Sequence, residues 1–328
     1  PALWQRTERV LFLHDWLVWR LTGVEVTEVS YACAGQLADV GSRAWAGELL
    51  HQVGLGTEWC ARLVEAGDVV GATRQAFLGV PAGTPVVAGC GDTQLAAMAA
   101  GGLDDGVVTV VAGSSTPVQA ATAEPVRDPL RHPWVSTHAR TDLWAAETNC
   151  GYPGTMQGWG AGLLGAAPSG EPGARGVVAV TGAPAWTEEG WAVKAPMSLV
   201  GLRPDTTAAD VAQALLEAHL ATIRANVEDL ERALGRPAVE VVLAGGAADR
   251  DPLFARQLAE MLGRPVRVAR SDAAAAAWQL ATGEALPVPT DVVQPSGAHS
   301  YDSSYARYLE VWGALRAALP EGDEEAQA

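Results

Sequence analysis

The chain has 328 residues, 48% hydrophobic and 18% charged, and 22 basic against 38 acidic side chains give a formal net charge of −16. This much apolar material supports packed cores and excludes a disordered chain, and the length suits two domains. The acidic balance repels nucleic-acid phosphates and anionic lipid, so neither is a candidate partner; a bound anionic nucleotide has to be held by local backbone dipoles and Mg²⁺ rather than by a general basic field.

In chain order, Val10, Leu13, Leu17 and Leu21 recur at helical spacing and Gly23 follows, which predicts a helix over about Thr7–Leu21 stopped by the glycine. Short strands and helices alternate after it, and Val69–Gly83 reads as turns and short strands. Pro85–Ala88 is an apolar strand, Gly89-Cys90-Gly91-Asp92 a tight loop and Thr93–Ala100 a helix. A second strand, Val107–Ala112, runs into Gly113-Ser114-Ser115. Ala166–Gly190, rich in Gly, Ala, Pro and Glu, reads as a surface excursion. A long helix over Ala208–Leu234 carries the stripe Leu216, Leu220, Ile223, Val227, Leu230 and Leu234, a core-packing pattern. Strand, glycine turn, helix and strand follow through Val239–Ala269; Ser271-Asp272 caps an alanine-rich helix, a last helix lies near Tyr305–Leu319, and the tail is acidic. Alternating strands and helices indicate an α/β class.

Cys33, Cys60, Cys90 and Cys150 form no CxxC pair and read as free thiols of a reducing cytosol. No apolar run reaches the ~20 residues that span a bilayer, and the opening PALWQRTERVLF lacks a signal peptide's layout; the chain reads as soluble and cytoplasmic. The six histidines, His14, His132 and His138 among them, show no HxxxH or HExxH spacing, so no metal site is predicted from protein ligands.

Three turns carry the chemistry. In Gly89-Cys90-Gly91-Asp92-Thr93-Gln94 a carboxylate lies between a strand end and a helix start, where glycines admit a ligand close to the backbone. Such a carboxylate suits proton abstraction from a hydroxyl or Mg²⁺ binding, and it suits a plain helix N-cap equally. Gly113-Ser114-Ser115-Thr116 after its strand suits a phosphate cradle or an ordinary hydroxyl-capped turn; no GKS or GKT follows, so it is not a Walker A loop. Leu243-Ala244-Gly245-Gly246-Ala247-Ala248 leaves bare backbone against which a planar base could lie, or is a simple strand-to-helix turn.

The order and spacing of these segments resemble the FGGY carbohydrate kinases. LFLHDWLVWRLTG is similar to that family's helix ending in D-Y-L-x-x-x-L-T-G, AGCGDTQLAAMAAG to its catalytic GGGD segment, VVTVVAGSST to its phosphate strand and turn, and LAGGAADRDPLFARQLAEMLGRPV to its adenosine segment. GLRPDTTAADVAQALLE matches the second half of its C-terminal signature. The resemblance covers nearly all of residues 1–316 and implies an actin-like, ribonuclease H-like ATPase fold in two domains with the first incomplete. Residues 1–90 would be the remainder of the sugar-binding domain, 91–319 the nucleotide-binding domain and 320–328 an acidic tail.

Carried over by position, the resemblance makes Asp92 the general base, with Thr93 and Gln94 against the substrate. It puts the ATP phosphates on Gly113, Ser114 and Ser115, a packed helix at Gly154 and Gln157, and the adenosine wall at Gly245, Gly246, Ala247 and Arg250. The implied cofactors are ATP and Mg²⁺, and the implied partner is a small sugar or polyol, with a homodimer as the assembly to look for. The residues after the base, Asp92-Thr93-Gln94-Leu95, resemble the family's autoinducer kinases more than its xylulose kinases, and a pentulose-type substrate is favoured. Three departures stand out. The family's DxGTxxxR hairpin is absent from these residues and would precede Pro1, so that these residues alone are expected to bind ATP weakly. VVAVTGAPAWTEEGW replaces its PYLxGER stretch, and APMSLVG keeps little of the first half of its C-terminal signature. The missing hairpin leaves a catalytically inactive relic as the alternative to an enzyme, and an actin-like structural ATPase as a weaker one.

Overall fold

The computed structural model describes residues 6–181, 197–250, 252–297 and 301–318. The first part of the chain builds small units around short strands. Helix α1 (Leu13–Thr22) starts later than the leucine periodicity predicts. Asp15 in its first turn is buried, and takes the Phe12 N–H at 3.3 Å and the Thr27 hydroxyl at 2.6 Å, which fixes the start. Residues 7–12 stay non-helical, Val10 bridging to Cys60, and Leu13 and Leu17 face solvent while Val18 packs inward. Gly23 ends the helix in the left-handed region at φ 74°, as predicted.

β1 (Val26–Glu28) leads directly into α2 (Val29–Ala34). After the hairpin of β2 (Ala38–Asp39) with β3 (Ala44–Trp45), and α3 (Gly47–Gln52), comes β4 (Arg62–Val64), which pairs in parallel with β1. β5 (Val69–Ala72) pairs antiparallel with β6 (Pro85–Val87), so the strand ahead of Asp92 belongs to a separate two-stranded sheet.

The rest is built on one seven-stranded mixed sheet. Its members are β7 (Val107–Val111), β8 (Pro117–Thr122), β9 (Trp134–Thr137), β10 (Trp144–Asn149), β13 (Glu240–Ala244), β14 (Val266–Ala269) and β15 (Thr290–Val293), in the order β15-β14-β13-β7-β8-β10-β9. β13 runs parallel to both β7 and β14, and the remaining pairs are antiparallel. The helices are α4 (Asp92–Ala99), α5 (Pro153–Leu164), α6 (Ala208–Leu234), α7 (Gly246–Arg250), α8 (Pro252–Leu262), α9 (Ala273–Thr282) and α10 (Asp302–Ala318). A further strand pair, β11 (Val178–Val180) and β12 (Ser198–Val200), packs near α6.

α6 is the spine of the core. Thr207 caps its N-terminus against Asp210 in a reciprocal box, and Gly235 closes it at φ 70°. Leu216, Leu220, Ile223, Val227 and Leu230 of the predicted stripe are fully buried, each worth roughly 1.5–3 kcal/mol over exposure. Residues 174–180 depart from the expected surface excursion. Ala174, Val177, Ala179 and Val180 are buried beside α6, because small side chains let this segment approach the helix closely. The remainder of that excursion from residue 182, and the acidic tail, lie outside the described residues.

Candidate functional site

Asp92 is the first residue of α4, with Gly91 as its N-cap at φ −52°, ψ 140° and no side-chain cap bond. The capping role open to Asp92 from sequence is therefore not used. Its carboxylate is exposed and makes no hydrogen bond to the described residues. Thr93 and Gln94 are half-buried in the same turn. A Cβ at position 91 would lie 2.2 Å from Gln94 Oε1, so glycine gives the Gln94 carboxamide room to fold back over the turn. Gly89 is exposed, and no atom lies within 4 Å of where its Cβ would be; the main chain there is open to a ligand.

The surroundings of Asp92 were not legible in the sequence. Glu147 on β10 is cross-strand from Gln119 on β8, whose Nε2 donates to Glu147 Oε2 at 3.0 Å. The Ala139 N–H donates to His138 Nδ1 at 2.8 Å, which leaves the proton on Nε2, facing Gln119 Oε1 at 3.1 Å. The sequence of bonds thus has one direction, from Ala139 through His138 and Gln119 to the Glu147 carboxylate. Burial, helped by the Asp92 charge, pushes Glu147 up to about 7 against the hydrogen bonds from Gln119 and Asn149. Burial also keeps His138 neutral, lowering it to about 4. In sequence Gln119 stands among Val118, Ala120 and Ala121, and Glu147 follows Ala145 and Ala146; nothing in either run points to Asp92.

The three stretches expected to hold ATP come together through main-chain contacts. β7 and β13 are parallel neighbours in register from Glu240↔Val107 to Ala244↔Val111, so their following turns leave the same edge of the sheet side by side. The Ala112 N–H donates to the Ala244 carbonyl at 2.9 Å, and the Ala247 N–H to the Ala112 carbonyl at 3.1 Å. Gly245 takes φ +84°, and a Cβ there would meet the Ala112 carbonyl oxygen at 2.7 Å. Gly113 and Ser114 are exposed, while Gly245, Gly246 and Ala247 are half-buried. Arg250 ends α7.

α5 closes on the same turn. Its Thr155 N–H donates to the Ser114 carbonyl at 3.1 Å, and a Cβ on Gly154 would lie 1.9 Å from the Gly113 carbonyl oxygen. Buried His219 of α6, lowered to about 3 by desolvation and so neutral, joins Thr116 Oγ1 at 2.8 Å to Gln157 Oε1 at 3.1 Å. With Gln157 accepting at Nδ1–H, His219 Nε2 accepts from Thr116, and one imidazole links the turn after β7 to the helix packed on it. These glycines fit a nucleotide cradle: where side chains would collide with backbone, the main chains instead meet and leave an open, hydroxyl-bearing turn. Among the described residues no group of three or more His, Cys, Asp or Glu could hold a metal ion, and no helix is long and apolar enough to cross a membrane.

Comparison with known proteins gives concordant results. The sequence model of the FGGY family of carbohydrate kinases, N-terminal domain, matches residues 1–99, and that of its C-terminal domain matches residues 108–278. The chain is 33% identical over 158 residues to the "Putative sugar kinase YoaC" of Bacillus subtilis, covering 47% of this chain and 32% of that protein. It is 29% identical over 294 residues to an L-fuculokinase of Escherichia coli, covering 82% of this chain and 58% of the relative. The chain thus spans between about a third and three fifths of these two relatives. Among solved structures, a xyloylose kinase from Brucella ovis superposes with TM-score 0.83 at 25% identity, covering 97% of this chain and 71% of the other. A xylulose kinase from Rhodospirillum rubrum gives 0.81 at 24% identity, covering 97% and 70%.

Proposed function

This chain belongs to the FGGY family of carbohydrate kinases, with the two-domain actin-like fold of that family, and from that premise we propose that it serves ATP-dependent phosphorylation of a sugar or polyol hydroxyl. The observation that carries the reading is the direct main-chain packing of the turns after β7 and β13 and the start of α5. Phosphoryl transfer asks a protein mainly for positioning and charge stabilisation, and the turn after β7, packed main chain to main chain against both the turn after β13 and the start of α5, provides a rigid frame for the phosphates. Gly113, Ser114 and Ser115 hold the phosphates, Gly154 and Gln157 pack beside them, and Gly245, Gly246, Ala247 and Arg250 form the adenosine wall.

Asp92 is the general base. Its exposed carboxylate takes the proton of the acceptor hydroxyl as that oxygen attacks the γ-phosphorus, and the bond from phosphorus to the β,γ-bridging oxygen breaks to release ADP. Mg²⁺, when bound to the nucleotide phosphates, neutralises charge that develops on them. Thr93 and Gln94 line the substrate side. Glu147, held by Gln119 in the neighbourhood of Asp92, adds an acceptor suited to a polyhydroxylated substrate. A pentulose-type ketose or a related small dihydroxy-ketone is the first substrate to try. The division into residues 1–90 on the sugar side and 91–319 on the nucleotide side, residence in the cytoplasm and assembly as a homodimer belong to the same reading.

The test is an ATP-dependent phosphorylation assay of the full-length protein across ketoses and polyols, followed by ADP release. Turnover on the order of 1–100 s⁻¹ with one of them is expected. No phosphorylated product with any of them, from protein that still binds ATP, would replace the kinase reading with that of an inactive relic.

A further inference from the structure

The Cys90–Gly91 peptide immediately precedes Asp92, and both of its polar atoms are gripped by one short segment far away in sequence. The Tyr31 hydroxyl donates to the Cys90 carbonyl at 3.4 Å, and the Gly91 N–H donates to Ser30 Oγ at 3.1 Å. Ser30 and Tyr31 are consecutive residues of α2, separated from the turn by 61 and 59 positions. The Ser30 hydroxyl is itself committed: it donates to Glu28 Oε2, which also accepts the Ser30 N–H at 2.9 Å. With its proton turned to Glu28, Ser30 Oγ presents a lone pair to Gly91, so the polarity of the contact is fixed.

The gripping segment is itself fixed. Glu28 caps α2 and is 3% exposed, Ser30 is 2% exposed, and the Ser136 hydroxyl donates to the Ser30 carbonyl at 3.3 Å. On its other side Gly91 is tied into α4, its carbonyl accepting the Leu95 N–H at 3.0 Å. A peptide plane flanked by glycine turns easily about its ends. Holding the carbonyl of that plane and its N–H removes this freedom, because a flip breaks both bonds at once.

We propose that Ser30 and Tyr31, with Glu28 orienting Ser30, are positioning residues that clamp the Cys90–Gly91 peptide plane and thereby aim Asp92 at the acceptor hydroxyl. The proposal rests on Asp92 being the general base. It differs from simple satisfaction of buried polar groups in its consequence: loss of the clamp lowers turnover while leaving nucleotide binding and the fold in place.

The experiment uses Ser30→Ala, Ser30→Thr, Tyr31→Phe and the Ser30→Ala/Tyr31→Phe double variant in the full-length protein, beside Asp92→Asn. Ser30→Ala and Tyr31→Phe should each lower kcat on the order of 10-fold, the range expected when a reacting group is misaimed by a fraction of an ångström, with the KM for ATP unchanged within about twofold. The double variant should lose less than the product of the two, since both act on one plane. Ser30→Thr, which keeps the hydroxyl, should recover most of the rate, and the Gly91 amide should exchange with solvent faster in Ser30→Ala. If Ser30→Ala fails to fold, Tyr31→Phe carries the test, because it removes a single hydroxyl from a half-buried ring. Unchanged kcat in the folded variants overturns the proposal, even with faster Gly91 exchange, and leaves the assignment of Asp92 standing. Loss of kcat in step with thermal stability and with a rise in both KM values also overturns it. Undiminished kcat in Asp92→Asn removes the base on which the proposal stands.

Discussion

The Asp92 turn is held by side chains drawn from a distant segment, Ser30 and Tyr31 on its main chain. The turns after β7 and β13 are instead held by main chain against main chain, Ala112 with Ala244 and Ala247, Ser114 with Thr155. The two constructions fail differently. That main-chain cradle has no room for an added atom at Gly154 or Gly245, and a change there displaces the frame itself. A turn aimed by side chains survives the loss of a hydroxyl as a fold and loses alignment. On the function proposed here, the main-chain cradle gives a rigid seat for the nucleotide and the turn aimed by side chains an adjustable approach for the acceptor.

The largest expected effect is on the base. Asp92→Asn should lower kcat by roughly 10²–10⁴-fold. The side chain is exposed and without a hydrogen bond among the described residues, so stability should change by no more than about 0.5 kcal/mol. Steady-state kinetics beside thermal unfolding read both; a variant with near-parental kcat breaks the assignment.

Next comes the pH dependence of the carboxylate near it. Glu147 sits at about 7 in the fold against an ordinary value of 4.5. The folded state therefore keeps the proton longer than the unfolded chain, and stability present below about pH 4.5 is lost as pH rises through about 7, at about 1.4 kcal/mol per unit. Glu147→Gln removes this loss while keeping an acceptor for Gln119. Its unfolding free energy relative to the parent should rise between about pH 5 and about pH 8 by up to roughly 3 kcal/mol. Denaturant unfolding at the two pH values checks it, and a constant difference would show that Glu147 does not titrate in this range.

On the nucleotide side, Gly154→Ala places a methyl 1.9 Å from the Gly113 carbonyl oxygen. Relief requires backbone movement, at a cost on the order of 1–3 kcal/mol, and the KM for ATP should rise several-fold more than that for the sugar. The reverse split would mean that this turn does not seat the nucleotide. The smallest effect is expected from Ser114→Ala, which removes one exposed hydroxyl and leaves the turn's main chain intact. About 1 kcal/mol of nucleotide binding, read by calorimetry, is its expected share; no change would place the phosphates on backbone N–H groups alone.

The same contrast explains what could be read in advance. The glycine turns were legible because a glycine requirement is written at the residue that has it: Gly245 needs φ +84° and Gly154 lies on another backbone. α6 was legible from end to end because its stripe, its Thr207–Asp210 box and Gly235 are all local. The start of α1 was misplaced because the leucine spacing says nothing of Asp15, whose hydroxyl partner, Thr27, is fixed by folding. Residues 174–180 read as surface because small residues look alike in a loop and in a tight contact, and α6 decides between the two.

By itself the sequence determined the α/β class, the family, the long core helix and the positions of three glycine-bearing turns, since periodicity, caps and glycine conformations act over a few residues. Tertiary structure alone decided which turns touch, that Asp92 opens to solvent instead of capping α4, that Ser30 and Tyr31 bond the peptide before it, and that Glu147 feels its charge. Those are contacts of side chains with main chain and with one another across as many as 61 positions. A hydrogen bond depends on distance and angle in space, and the chain's local preferences carry no record of either.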